Sequence, residues 1–337
     1  MNAAELARPE VRALDAYVPE ATRSGVLLDA NELPAGIHNR YPDPDARALT
    51  AAFARYYGVR PLSVLATRGS DDGIDALSRA FLTPGTDAVL VTPPTFAMFG
   101  VFARLQGADV VELPLAAGFA FDRSALAAAW RPGVKLVYIC SPNNPTGTVM
   151  PLDDIAWLCK TLAGRALVVV DEAYQEFSTQ PSAVPLLEAH ANLVVLRTLS
   201  KAFGLAAIRC GALLAAPEII TLVRRVLPPY LLPAPVVDIA QAALAPAAVA
   251  AMQVNADAIR ARRQRCAAAL MTTPGVAEVV GGEANFVLVR FANAVRAYAR
   301  LEGAGIRVRR FDGALADWLR ITIGTEEEVA GAQAALR

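Results

Sequence analysis

Apolar runs of strand length alternate with amphipathic stretches over the first two thirds of the chain. The strand-like runs lie at 63–67, 87–92, 134–140, 166–174, 192–198 and 209–215. Helical patterns between them lie at 71–81, 98–107 and 153–164. Continuous apolar strands separated by helices are typical of βαβ units around a buried sheet. The pattern predicts an α/β fold, with a large domain whose central sheet is mostly parallel and flanked by helices.

The pattern changes after Pro235. A stretch rich in alanine and arginine over 236–271 predicts one extended helix, in which Pro246 either interrupts the helix or marks an early turn. Shorter elements follow, with strands at 278–282, 285–291, 306–311 and 318–324 and helices near 293–303 and from about 325. These elements predict a smaller α+β domain.

Three segments result from this division. We expect an N-terminal arm over 1–45 that packs on the small domain or on a partner subunit. A large domain follows over 46–235, and a linking helix with the small C-terminal domain occupies 236–337.

Charge and composition exclude several classes of protein. The 32 Lys and Arg residues balance 32 Asp and Glu residues, which argues against a nucleic-acid-binding protein. No apolar run approaches the ~18 residues of a membrane span, so we expect no membrane association. The first residues show no export signal, and the four cysteines are widely separated. We therefore expect a cytoplasmic location and no bound metal.

Lysine is scarce, which narrows the search for a reactive amine. The chain contains only Lys135, Lys160 and Lys201. Lys201 alone lies just past the end of a predicted strand, where ligands bind in open α/β sheets. A desolvated lysine near other cations has a lowered pKa and can form a Schiff base.

Groups suited to a phosphate follow two other strand-like runs. Ser70 and Asp71 lie after a glycine at the start of a predicted helix, whose free amides attract anions. Taken alone, this segment is explained more simply by helix capping. Ser200 and Arg209 flank the Lys201 segment and can also bind a phosphate.

Two further loops carry polar groups suited to a ring. Asn144 lies in the proline-rich segment 141–147, and Asp171 ends a buried apolar run ahead of Tyr174. A buried carboxylate needs a cationic partner, either a protonated ring nitrogen or an arginine. Together with Lys201 and the phosphate-binding groups, these residues fit pyridoxal 5′-phosphate.

Several motifs carry a resemblance to a known family. They are Asn31-Glu32-Leu33-Pro34, Arg40-Tyr41-Pro42, the Asn-Pro-Thr-Gly loop within 141–147, Asp171-Glu172-Ala173-Tyr174 and the lysine segment 198–205. Over nearly its whole length, the chain resembles the fold-type I aminotransferases, and in particular the histidinol-phosphate aminotransferase family.

The resemblance implies a role for each cofactor-binding residue. Lys201 would bind the cofactor as a Schiff base and move the substrate proton, and Asp171 would pair with the ring nitrogen. Asn144 and Tyr174 would contact the ring hydroxyl, and Phe96 would stack on the ring. The phosphate would be bound by Ser70, Asp71, Ser200 and Arg209, and by Tyr41 of a neighbouring subunit. Sharing of Tyr41 implies a homodimer with shared active sites.

Substrate-binding residues follow from the same resemblance: Arg320 and Arg309 for anions, together with Asn144 and, on the arm, Tyr17. The implied reaction transfers the amino group of L-histidinol phosphate to 2-oxoglutarate, giving imidazole acetol phosphate and glutamate for histidine biosynthesis. Aromatic amino acid transamination and threonine-phosphate decarboxylation in the same fold remain alternatives. Leu33, Phe96 and Ala207 depart from the usual family pattern and bear on the substrate more than on the reaction.

Overall fold

A seven-stranded sheet forms the core of the larger part of the molecule. The computed structural model describes residues 3–15 and 25–337. The strands of this sheet are β1 (Val64–Thr67), β2 (Ala88–Val91), β3 (Asp109–Glu112), β4 (Val134–Cys140), β5 (Leu167–Asp171), β6 (Leu193–Thr198) and β7 (Gly211–Ala215). Their spatial order is β1-β7-β6-β5-β4-β2-β3, and β7 alone runs antiparallel to its neighbours. The predicted mostly parallel sheet is confirmed.

A second sheet has four antiparallel strands in the order β10-β11-β9-β8. Its strands are β8 (Val276–Val280), β9 (Phe286–Phe291), β10 (Arg309–Arg310) and β11 (Trp318–Thr322). The helices of the described chain are α1 (Pro9–Ala13), α2 (Arg47–Tyr57), α3 (Ser70–Phe81), α4 (Met98–Leu105), α5 (Leu126–Ala129), α6 (Leu152–Thr161), α7 (Pro217–Arg224), α8 (Ala234–Ala243), α9 (Pro246–Met271), α10 (Ala294–Gly303) and α11 (Glu326–Leu336).

Both faces of the large sheet are covered by helices. Alternate residues of β5 belong to different clusters: Val168 and Val170 pack with α2, α6 and α8, while Leu167 and Val169 pack with α3, α4 and α7. Because side chains alternate across a strand, a sheet buried on both faces needs an unbroken apolar run. This requirement explains why the central strands were recognisable from the sequence.

The small sheet buries one face against the end of α9 and against α10 and α11. Leu270, Leu301 and Val329 contribute to this cluster, together with Val289 and Ile321 from the strands. The smaller α+β part of the predicted fold is therefore present.

The linking segment is helical, but it is not one continuous helix over 236–271. Of the two roles expected for Pro246, the structure shows the interruption, because α8 and α9 are separate helices bent by 69°. Pro246 is the first residue of α9, a position that needs no backbone N–H donor. In the described parts of the chain, no single helix is long and apolar enough to cross a membrane, and α8 with α9 meets that test only as a bent pair.

The described beginning of the arm contacts the large sheet's helices. Leu6 and Val11 belong to the same cluster as α3 and α7. The Arg8 amide donates to the carbonyl of Ala80, at 3.0 Å. This described beginning of the arm therefore lies on the large domain, whereas the small domain or a partner subunit was expected to receive the arm as a whole.

Candidate active site

A cavity of about 240 Å³ lies at the carboxyl ends of the central parallel strands. Ten of the predicted site residues line it: Ser70, Asp71, Phe96, Asn144, Asp171, Tyr174, Ser200, Lys201, Arg209 and Arg320. The first nine come from the helices and loops that follow β1, β2, β4, β5 and β6, and Arg320 comes from β11. The topology therefore gathers residues that are up to 250 positions apart in sequence (320 − 70) around one space.

Asp171 is a buried carboxylate without a counter-charge. It is the last residue of β5, is 2% exposed, and accepts a hydrogen bond from the Ala173 amide at 3.0 Å. Among the described residues it forms no ion pair. Burial raises the pKa of Asp171 to about 7, and the positive charge of Lys201 opposes this rise only in part. The site thus offers an acid suited to a cationic ligand atom.

Lys201 faces the same cavity from the segment after β6. Its Nζ lies 5.5 Å from the centroid of the Tyr174 ring. Desolvation of the amine lowers the pKa of Lys201, and the positive charge of Arg320 lowers it further. A larger fraction of the amine is therefore neutral than in an ordinary lysine, and neutral amine is the nucleophilic form.

Groups suited to an anion converge at the start of α3. Gly69 is the N-cap residue with φ of +87°, and no side chain caps the helix. Arg209 Nη1 donates to Ser200 Oγ at 3.2 Å, and Thr198 Oγ1 donates to the same oxygen at 2.9 Å. A Cβ at position 69 would lie 3.0 Å from Arg209 Nη2. Neither Ser70 nor Asp71 caps the helix through its side chain. The backbone amides of the first turn of α3 are therefore available to bind a phosphate.

Arg320 occupies the side of the cavity formed by the small sheet. It donates a hydrogen bond to Asn144 Oδ1, and its buried Nε has no hydrogen-bond partner within the described chain. Burial lowers the pKa of Arg320, although it stays a strong base. Arg309 faces Arg320 in the register of β10 and β11 and is exposed. Two arginines thus lie side by side on β10 and β11 at this side of the cavity, an arrangement that can bind an anion.

Two predicted residues of the described chain do not line the cavity. Arg309 lies opposite the cavity residue Arg320 in the register of β10 and β11. Tyr41 stacks on Tyr230 with ring centroids 4.5 Å apart and is 51% exposed. Tyr17 lies outside the described residues.

Sequence reasoning missed three residues around the site. Cys140 and Thr198 line the cavity, and both end strands whose next residues were already noted. The third is Arg197. The sequence analysis considered an arginine as partner of Asp171, but in the structure Arg197 forms its ion pair with the adjacent acid, Glu172. Adjacent side chains on a strand point to opposite faces, so the sequence could have shown that Asp171 and Glu172 face different sides of the sheet, although not which side holds the cavity.

Comparison with known proteins agrees with this fold and shows the family. Residues 19–336 match the family described as aminotransferase class I and II. The chain is 46% identical to a histidinol-phosphate aminotransferase of Stenotrophomonas maltophilia, covering 96% of this chain and 93% of that protein. It is also 46% identical to a histidinol-phosphate aminotransferase of Xylella fastidiosa, covering 99% and 96%. The chain therefore belongs to the class I and II aminotransferases and, within them, to the histidinol-phosphate aminotransferase family.

A solved structure gives the same picture. The histidinol-phosphate aminotransferase of Sinorhizobium meliloti, determined in complex with pyridoxal-5′-phosphate, matches with a TM-score of 0.78. It is 26% identical in sequence, and the match covers 88% of this chain and 82% of that one.

Proposed function

We propose that the protein is a pyridoxal-phosphate-dependent aminotransferase that acts on L-histidinol phosphate and 2-oxoglutarate. The observation that carries the proposal is that Asp171 and Lys201 both line one cavity, at the ends of neighbouring strands. Asp171 is buried without an ion pair, and Lys201 is a lysine of lowered pKa on the neighbouring strand end. The names of the relatives support the substrate. We also propose that the enzyme is cytoplasmic and that its partners include neither nucleic acid nor membrane.

The residues present fit pyridoxal phosphate. Asp171 lacks the counter-charge that a protonated ring nitrogen supplies, and the uncapped start of α3 with Ser200 and Arg209 suits the phosphate. When bound, the cofactor supplies an electron-accepting ring that stabilises charge on the substrate Cα. Lys201 Nζ would hold the aldehyde carbon until the substrate amine displaces it, and the freed Lys201 amine would then move the proton from Cα. The Asp171 carboxylate would hold the proton on the ring nitrogen.

The remaining residues bind and orient. We propose that Asn144 and Tyr174 donate to the ring hydroxyl and that Phe96, which touches Phe99 edge-on at 5.6 Å between centroids, covers one face of the ring. Ser70 and Asp71 contribute amides to the phosphate site. Burial raises the pKa of the Tyr174 hydroxyl, which keeps it a neutral donor.

Arg320 and Arg309 are the proposed substrate anchors. Glutamate carries a carboxylate and histidinol phosphate carries a phosphate, and a guanidinium binds either anion through paired hydrogen bonds. The unpartnered Nε of Arg320 is available for such a pair. We retain Asn144 and Tyr17 as further substrate contacts.

We also propose a homodimer in which Tyr41 contributes to the partner's phosphate site. Tyr41 lies outside the cavity of its own chain, and nearby apolar side chains are left uncovered in the single chain. Val26, Leu28 and Ile37 are 88%, 89% and 94% exposed. Exposed apolar surface of this kind is typical of an interface.

We propose that the chain divides into an N-terminal arm over 1–45, a large cofactor-binding domain over 46–235, and a linking and small C-terminal domain over 236–337.

Covalent attachment of the cofactor tests the site. Borohydride reduction of the yellow holoenzyme followed by peptide mapping should label Lys201. The Lys201→Ala variant should bind no cofactor covalently and lose transamination, because the amine supplies both the bond and the proton transfer. The matched control, Lys160→Ala on the exposed face of α6, should behave as wild type. Labelling at Lys135 or Lys160 would contradict the assignment.

The substrate is tested by a panel of amino donors with 2-oxoglutarate. Histidinol phosphate should give a higher kcat/KM than phenylalanine, which has no phosphate for Arg320 and Arg309 to bind. It should also exceed threonine phosphate, because relatives 46% identical to this chain are named for histidinol phosphate. Amine transfer and carbon dioxide release are scored separately. Preference for phenylalanine, or carbon dioxide release from threonine phosphate, would replace the proposed activity with one of the two alternatives.

A further inference from the structure

Arg197 forms a buried ion triad directly behind the cavity. Its Nη1 lies 2.6 Å from Glu172 Oε2, and its Nη2 lies 2.5 Å from Glu176 Oε1. The three side chains are at most 5% exposed. Glu172 also accepts hydrogen bonds from Ser182 Oγ and the Ala183 amide, both at 2.6 Å. We call Glu172, Glu176 and Arg197 the ion triad.

The pleat of the sheet places this triad opposite to the catalytic groups. Asp171 follows Val169 on the face of β5 that packs with α3 and α4, whereas Glu172 continues the face that carries Val170. Arg197 follows Val195 on that same second face. Neighbouring acids in the sequence therefore have different environments, and the guanidinium pairs with Glu172 while Asp171 stays free of ion pairs.

The triad also joins the segments that carry the reacting side chains. Glu172 follows Asp171 directly, Glu176 follows Tyr174 by two residues, and Arg197 precedes Thr198, whose hydroxyl bonds to Ser200 beside Lys201. A guanidinium that binds two carboxylates fixes both in direction as well as in distance. Displacement of any member would move a neighbouring cavity residue.

We propose that Glu172, Glu176 and Arg197 are positioning residues, which align Asp171 with Lys201 and place one excess negative charge behind Asp171. Two carboxylates face a single guanidinium, so the triad carries a net charge of −1. Because Asp171 and the ion triad are buried, where charges are screened less than in water, that charge would favour a proton on the cofactor ring nitrogen. This inference rests on the proposed function.

Other titratable groups also act on Asp171. Those that interact with it electrostatically are Asp71 on α3, Tyr138 and Cys140 on β4, Glu172 and Tyr174 after β5, and Lys201 after β6. Glu172 and Asp71 both favour the protonated acid, and Lys201 opposes them. The variants below change only the triad, so these groups form a constant background.

The test is a pH titration of the absorption spectrum of the holoenzyme. Glu176→Gln keeps the shape and one acceptor for Arg197 but removes the excess charge. We expect the midpoint of the spectral change to move down by ~0.5–1 pH unit, and kcat to fall more than KM rises. Glu172→Gln removes one negative charge from the other carboxylate bound to Arg197, and the midpoint of its spectral change should also move down.

Two further variants separate charge from alignment. Arg197→Lys keeps the net charge but loses the forked geometry, so the midpoint should stay near wild type while kcat falls. Glu278→Gln breaks the Arg290 ion pair on the small sheet, where the atoms are 3.1 Å apart, and should change neither quantity.

The possible failures are distinguishable. If wild-type protein takes up no pyridoxal phosphate, the proposed function is wrong. If wild type shows a normal titration and the folded glutamine variants titrate with the same midpoint, the triad is a structural ion pair only and this inference is wrong. Should one glutamine variant not fold, the other decides between these results.

Discussion

Asp171 and Glu172 are adjacent in the sequence, yet their side chains lie in different environments. Glu172 is bound by Arg197, Ser182 and the Ala183 amide, so its charge is compensated. Asp171 has one backbone hydrogen bond and a pKa raised to about 7 by burial. Leaving an acid uncompensated costs stability in the absence of a ligand. Binding a cationic ring would recover that cost.

Stability of the cofactor-free protein should therefore depend on pH through Asp171. In the unfolded chain its pKa is near the usual 3.8, and in the folded chain it is about 7. Between these values the folded protein keeps a proton that the unfolded chain has released. The free energy of unfolding thus falls as pH rises through this window, by an amount on the order of several kcal/mol.

The comparison with Asp171→Asn isolates this effect, since the amide does not titrate. The variant apoprotein should lose less thermal stability than wild type between pH 4 and pH 7, measured as Tm by calorimetry. Added pyridoxal phosphate should narrow the difference at pH 7, because it restores a counter-charge only for the acid. Parallel curves for the two apoproteins would contradict the raised pKa.

At this scale, sequence reasoning worked where a polar residue follows an unbroken apolar strand. Lys201, Asp171 and Asn144 all have that position, and all three line the cavity. Asp171 was selected because it ends the apolar run, but the pattern itself carries no mark of which adjacent acid faces the cavity. That depends on the phase of the pleat relative to the covering helices, and a strand buried on both faces carries no polar alternation to mark the phase.

Among the elements, the strands at the centre of the large sheet were the easiest to predict. β3 was missed, because it is an edge strand that pairs only with β2 and has two partly exposed apolar residues, Val110 and Val111. The strand expected over 306–311 is reduced to the two residues of β10. Edge strands have little apolar surface to bury, so their sequences carry a weak signal.

The break between α8 and α9 has a different cause. Alanine-rich sequence has high helix propensity on both sides of Pro246, so composition favours a continuous helix. Proline is tolerated in the first turn of a helix and disfavoured in its interior, which places the break just before it. The 69° bend directs α9 towards the small sheet. Its size depends on packing between distant segments and could not be predicted locally.

For the whole molecule, the central question is whether two chains share each active site. Lys201→Ala and Tyr41→Ala would each impair a different part of that site. In a mixed dimer, one site would collect both defects and the other would have neither. Random mixing of the two inactive variants should then restore about a quarter of the wild-type activity. Activity is measured after co-expression on the unfractionated dimers, about half of which are mixed, each with one intact site of two.

The control is a mixture of Lys201→Ala with Asp171→Asn. Both residues line the cavity of the same chain, so every site in the mixed dimer keeps a defect and no activity should return. Recovery in this control would indicate exchange of segments between subunits. Failure of the Tyr41 mixture to recover would contradict shared sites.

The hydrogen bond between Arg320 and Asn144 joins the two sheets at the substrate end of the cavity. One partner lies on β11 and the other in the loop after β4. A dicarboxylate or phosphate ester held there would touch both halves of the molecule at once. Ligand binding and the association of the two halves are then thermodynamically linked. A bound ligand stabilises the contact between the large and the small sheet, and any change that separates the sheets lowers the affinity for the ligand.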